Sequence, residues 1–287
     1  MIALATVLAM ALAPMVVAAR AGAATSTPIF YLDVGASVSV GVQPSFRSPH
    51  GQRTDTGYAN YLVALEASKG IDLQLHEIGC PGESTTTMIT GHDHCYHGTA
   101  TQLNTAIAFL STHRTQTGLV TIDLGFNDLM RCLRNEQYHP ACLARHLSTV
   151  QSQLTQIIAL LRAAAGPHVT FVGVGHYDPF LAAWLHGPRG QAYATASADA
   201  MSQLNQTLKD VYGSFSIPVA DVAAAFQPPT SEPIDVAPYG RVPADVAYTC
   251  AMTWMCRPAP YGPNIHPTDL GYRAIASAID AVLPTGW

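Results

Sequence analysis

Residues 28–41 read PIFYLDVGASVSVG, a run of aromatic and branched apolar residues that breaks at Gly35 and is followed two positions later by Ser37. The bulk of residues 28–34 predicts a buried strand, and Gly35 permits an abrupt turn out of it. Ser37 then stands where a helix can begin. A hydroxyl at the carboxyl end of a strand lies on the edge where open α/β sheets keep their ligands. A helix amino terminus there offers backbone N–H groups to a developing negative charge. Ser37 is therefore a candidate nucleophile, although a serine in this place also serves simply as a helix cap.

Outward from that stretch, strands and helices alternate. A helix is expected over residues 58–68 and a second strand over 71–78, ending in GCPGES at 79–84, where Gly82 lets the backbone approach a bound atom closely. Another helix is read over 100–111. The strand GLVTIDL at 118–124 runs into Gly125-Phe126-Asn127-Asp128. The Asn127 amide is a neutral N–H donor suited to an oxyanion, and either Asn127 or Asp128 is equally suited to capping the next turn. Leu143, Leu147, Val150, Leu154, Ile157 and Leu161 recur at helical spacing until Gly166-Pro167 stops them. Strands at 168–174 and 217–222 enclose a helix over 191–211. This order predicts parallel pairing with right-handed crossovers in one layered α/β domain.

Residues 227–264 are rich in Pro, Tyr and Gly and show no period. They include YTCAMTWMC at 248–256, in which Met252, Trp254 and Met255 are candidate walls of an acyl pocket or packing for the last helix. The polar turn NIHPTD at 264–269 brings His266, with Thr268 or Asp269 as a cap. The helix after it is expected to face inward through Ala274, Ala278 and Val282.

Charged residues make up 11% of the 287-residue chain, against roughly 25% in an average soluble protein. A net charge of -5 without a basic cluster excludes nucleic acid as the expected partner. The apolar run at 2–19, followed by small residues, reads as a secretory signal over residues 1–24 ahead of a single domain over 25–287, with a retained membrane anchor as the alternative. The six cysteines fit disulfides in an exported protein. Pairing of sequence neighbours, Cys80 with Cys95, Cys132 with Cys142 and Cys250 with Cys256, closes short local loops. The tract GHDHCYHG at 91–98 crowds His92, Asp93, His94 and His97, but no CxxC spacing supports a zinc site, and no metal is assigned.

Four short loops thus follow in order, carrying Ser37, Gly82, Asn127 and His266. This order resembles the SGNH, or GDSL-type, serine hydrolases, from residue 28 nearly to 283, and above all secreted actinobacterial esterases and lipases. The resemblance implies a three-layer α/β/α sandwich on a parallel five-stranded sheet, related to flavodoxin. It implies Ser37 as nucleophile, His266 as general base, and an oxyanion hole from the N–H groups of Ser37 and Gly82 with the Asn127 amide. No cofactor is implied. The expected substrate is a small-molecule or lipid ester, with contact to lipid surfaces, and the expected state is a monomer. A polysaccharide deacetylase and a degenerate glycan- or lipid-binding member are the rival readings. Two departures stand out: the family's Gly-Asp-Ser block has Ala36 in place of Asp, and the Asp expected three residues before the histidine is Pro263. A backbone carbonyl near Pro263 is the acceptor expected for the His266 ring, giving a Ser-His dyad.

Overall fold

The computed structural model describes residues 29–91, 94–133 and 136–285. The expected signal over residues 1–24 lies outside these, as do His92 and Asp93.

Strand β1 (Ile29–Gly35) sends Leu32 and Val34 to one face of a sheet and Tyr31 and Asp33 to the other, and all four are fully buried. Burial on both faces is what parallel sheets require, and it explains the unbroken apolar character of this run. The chain continues through α1 (Tyr58–Ser68), β2 (Leu73–Glu77), α2 (Thr85–Thr90), α3 (Gln102–Thr112) and β3 (Thr117–Asp123). Then come α4 (Phe126–Leu129), α5 (Pro140–Ala164), β4 (Thr170–Val174), α6 (Pro188–Ser214), β5 (Val219–Ala220) and α7 (Val222–Ala225). The five strands pair in parallel in the order β2-β1-β3-β4-β5. Leu32, Val34, Val120 and Ile122 pack against α3, α5 and α6, while Tyr31 and Leu119 pack on the side of α1 and the last helix, α9 (Asp269–Asp280). The expected three-layer α/β/α sandwich is the fold observed.

Residues 227–264 are more ordered than their composition implies. They hold a hairpin, β6 (Ile234–Val236) with β7 (Gly240–Val242), and a helix, α8 (Ala244–Met252). The buried stripe of α9 is also rotated from the expected one, running through Tyr272, Ile275, Ala276 and Ile279, with Ala274 and Ala278 at its margin. The larger side chains take the inner position because they remove more apolar area from water. All three expected disulfides are present: Cys80–Cys95, Cys132–Cys142 and Cys250–Cys256.

The carboxyl edge of the sheet is tied together by Gln102, the first residue of α3 and fully buried. Gly35 N–H donates to Gln102 Oε1 at 2.8 Å, and Gln102 Nε2 donates to Gly35 O at 3.0 Å and to Glu83 Oε2 at 2.9 Å. One amide thereby fixes the end of β1 and the loop that follows β2. Gln102→Ala removes the partner of a buried N–H and one partner of a buried carboxylate, so unfolding in urea is expected to show a loss of roughly 2–4 kcal/mol, since each such orphan costs roughly 1–3 kcal/mol.

Candidate active site

The chain after β1 makes a single turn where a helix was expected. Val42 N–H donates to Ser37 O at 3.0 Å and Gly41 N–H to Val38 O at 3.3 Å, with Gly41 in the left-handed region at φ +60°. This pair of bonds is a Schellman closure, and it ends the helix one turn after Ser37. A side chain at Gly41 would strike the backbone of Gly57, 2.6 Å from its position, so the crossing at the base of the turn is closed to larger residues. Ser39 Oγ donates to Ala36 O at 2.8 Å across the same turn.

His266 comes from the opposite end of the sequence, and its ring is held by Asn264. Nδ1–H donates to Asn264 Oδ1 at 2.7 Å, and the His266 backbone N–H donates to the same oxygen at 3.0 Å. Asn264 Nδ2 in turn donates to the carbonyls of Pro49 and His50, each at 3.2 Å. Those two acceptors fix which end of the amide faces the ring, so the proton sits on Nδ1 and Nε2 keeps its lone pair. The acceptor is thus a side chain two residues back, in place of the backbone carbonyl expected near Pro263. The only sequence sign of it was the Asn-Ile-His spacing. Burial pushes the His266 imidazole down to about 4.

Asn127, in α4, donates through Nδ2 to Glu83 O at 2.9 Å, which leaves its second amide hydrogen uncommitted. Asp128 beside it accepts from Thr85 N–H at 3.0 Å and Thr85 Oγ1 at 2.7 Å, fastening the start of α2. Neither residue caps a helix. Gly82 adopts φ +85° with open space where a side chain would be, so its backbone is accessible. It lines a cleft of 440 Å³ that shares Asn127 and Asp128 with it.

Ser37, Asn127 and His266 line one small cleft, together with Val38, Leu124, Phe126, Tyr177 and Ile265. Its free volume is 20 Å³, room for about one water. No hydrogen bond joins Ser37 Oγ to His266 in this structure, an arrangement usual where substrate has yet to tighten the site. Gly82 lies in the adjoining cleft.

Met252, Trp254 and Met255 line neither cleft. Met252 is part of the core beneath α9, and Trp254 supports the histidine: its N–H donates to His266 O at 3.1 Å and its Nε1 to Pro267 O at 3.1 Å. The Cys250–Cys256 bridge pinches this loop, which faces the His266 segment. Elsewhere, His94 adjoins Cys80 and Cys95, and His146 adjoins Cys132 and Cys142, but these sulfurs are spent in disulfides and offer no thiolate. Two residues absent from the sequence reading also line the Ser37 cleft, Asp123 and His176.

Residues 34–274 match the sequence model of the GDSL-like Lipase/Acylhydrolase family. Among curated proteins, none matches the chain. Solved structures share the fold. The extracellular lipase of Streptomyces rimosus aligns with a TM-score of 0.58 at 19% identity, over 89% of this chain and 100% of that one. Phospholipase A1 of Streptomyces albidoflavus NA297 gives 0.55 at 20% identity, over 89% and 100%. The lipase Lip_vut3 from a goat rumen metagenome gives 0.54 at 17% identity, over 88% and 96%.

A histidine held neutral by burial contributes stability that is complete above its unfolded value near 6.5 and is lost progressively as pH falls toward the folded value. Imidazole NMR of His266 is therefore expected to show a midpoint of about 4, with the Nδ1–H signal retained through neutral pH. A midpoint near 6.5 would contradict the buried, Asn264-bonded ring.

Proposed function

This chain belongs to the GDSL-like lipase/acylhydrolase family and is a carboxylic ester hydrolase, and from that premise we propose that it works through an acyl-enzyme on Ser37. The supporting observation is that Ser37, Asn127 and His266 line one cleft while Asn264 fixes the tautomer of the imidazole.

A serine hydroxyl is a weak nucleophile at neutral pH, so His266 Nε2 takes its proton as Oγ attacks the ester carbonyl. Negative charge then gathers on the carbonyl oxygen. The N–H groups of Ser37 and Gly82 and the free Nδ2–H of Asn127 are the donors assigned to it. The imidazolium returns the proton to the departing alcohol, and water repeats the sequence to free the acid. Asn264 completes a Ser-His-Asn arrangement. A neutral amide orients the ring without offering a countercharge, so the imidazolium is stabilised less than by a carboxylate. The depressed pKa of His266 points the same way.

The tight cleft beside Ser37 favours a short acyl group. With the Trp254 loop turned to other work, the expectation of a long-chain lipid pocket loses its support. The same observation favours the second reading, a deacetylase acting on acetylated polysaccharide. The three disulfides support activity outside the cell. Among the described residues, no helix is long and apolar enough to cross a membrane.

Acetate esters are expected to be cleaved faster than butyrate or longer ones, and Ser37→Ala is expected to lose both turnover and labelling by a fluorophosphonate. Asn127→Ala is expected to lower kcat about 10²–10³-fold, the usual effect of removing one oxyanion donor. Failure of the wild-type protein to cleave any acyl ester would sink this reading and favour the glycan- or lipid-binding alternative.

The acid limb of kcat/KM, followed by pH-stat on a neutral ester, is expected near the His266 value of about 4, so that activity persists through pH 5 to 7.

A further inference from the structure

Asp123 ends β3 directly beside the nucleophile turn. Its backbone pairs with Gly35, its side chain lines the Ser37 cleft, and the residue is 2% exposed. A carboxyl so placed has lost nearly all its hydration, and such groups are normally fully paired. This one is not. Oδ2 makes no hydrogen bond among the described residues, and Oδ1 meets His176 Nδ1 at 3.5 Å. His176 is itself fixed: its Nε2 donates to Leu124 O at 3.0 Å, and Asn205 bonds both its N–H and its carbonyl at 2.8 Å. With Nε2 donating, the contact at Nδ1 is attractive only with a proton between ring and carboxyl.

Burial pushes the Asp123 carboxyl above its usual range, and His176 and the nearby backbone N–H groups of Ser39 and Ala36 partly offset this by favouring the charged form. Ala36 and Ser39 bracket Ser37. Position 36 is alanine, where the Gly-Asp-Ser block of the resembling family carries its own carboxylate. The turn beside Asp123, residues 36–41, carries no acid of its own.

We propose that Asp123, steadied by His176, supplies from the neighbouring strand the carboxylate that position 36 lacks, and so holds the turn that aims Ser37. Asp123 is a positioning residue, acting through the turn that carries Ser37. The inference rests on Ser37 being the nucleophile.

The test uses Asp123→Asn, which keeps the shape, Asp123→Ala, and the double variant Ala36→Asp/Asp123→Ala, which moves the carboxylate to position 36. Turnover of p-nitrophenyl acetate, the rate of fluorophosphonate labelling and the thermal midpoint are measured for each. Both single variants are expected to lose about 10²-fold in kcat and in labelling rate, the scale of a small misplacement of reacting groups. KM is expected to stay within about twofold, because binding of the ground state is untouched. The double variant is expected to regain at least about tenfold over Asp123→Ala, which a purely structural role cannot explain. Asp123→Asn labelled at the wild-type rate would overturn the proposal, as would a folded double variant no faster than Asp123→Ala. If the alanine variants do not fold, the labelling rate of Asp123→Asn decides alone. Wild-type protein that is not labelled at Ser37 would instead remove the underlying assignment of the nucleophile.

Discussion

One buried amide, that of Gln102, occupies both polar groups of the Gly35 backbone and also reaches Glu83. Glu83 then receives Asn127 through its carbonyl, and Asp128, next in sequence, holds Thr85. Three loops that leave three different strands are thus joined by continuous hydrogen bonds inside a low-dielectric interior, where each bond is strengthened by its neighbours and costly to break. None of these loops can move alone. The rigidity of the Gly82 and Asn127 side of the cleft is a property of this network, and the strands serve mainly to deliver its members to one edge.

His266 is secured by a separate set of contacts. Asn264 grips the imidazole and is itself gripped by the carbonyls of Pro49 and His50, while the Trp254 loop bonds the His266 backbone from behind. Trp254 Nε1 also reaches Gln43, which bonds Asp269 at the start of α9. Ser37 and His266, the proposed nucleophile and base, therefore belong to two frames. One is built on the sheet, and the other on irregular chain closed by the Cys250–Cys256 bridge. Both contribute to the lining of one small cleft, and Tyr177, just after β4, ties them together by donating its hydroxyl to Ile265 O at 2.8 Å.

Much of this architecture is written in local pattern. The apolar strands, the long helix from Leu143 to Leu161 and the short-range cysteine pairs each follow from residues near one another in the chain. Ser37, Asn127 and His266, which line one cleft, stood out in the sequence because each sits where a strand or loop meets a polar turn. What periodicity cannot carry is a hydrogen bond across the fold. Gln102 reads as an ordinary residue in the first turn of a helix, yet it serves a glycine 67 positions earlier. Asp123 reads as part of a strand, and His176 lies just beyond another. Asn264 was visible as a turn residue, but its second amide contacts, some 214 positions away, are what turn its oxygen toward the ring. Trp254 shows the same limit: an apolar loop pinched by a disulfide looks the same from sequence whether it lines a pocket or props a neighbouring segment, and only the fold shows it bonding the His266 segment.

The partner of α1, near the start of the fold, is α9, at its end. Tyr58, Ala59 and Leu62 of the first helix are buried against Tyr272, Ile275 and Ile279 of the last, and Lys69 reaches across to Asp280. Contacts of such wide sequence separation form late, because a long loop must close before they repay its entropy. A chain emerging from the ribosome therefore carries Ser37, Gly82 and Asn127 well before it has His266 or the layer that α9 completes.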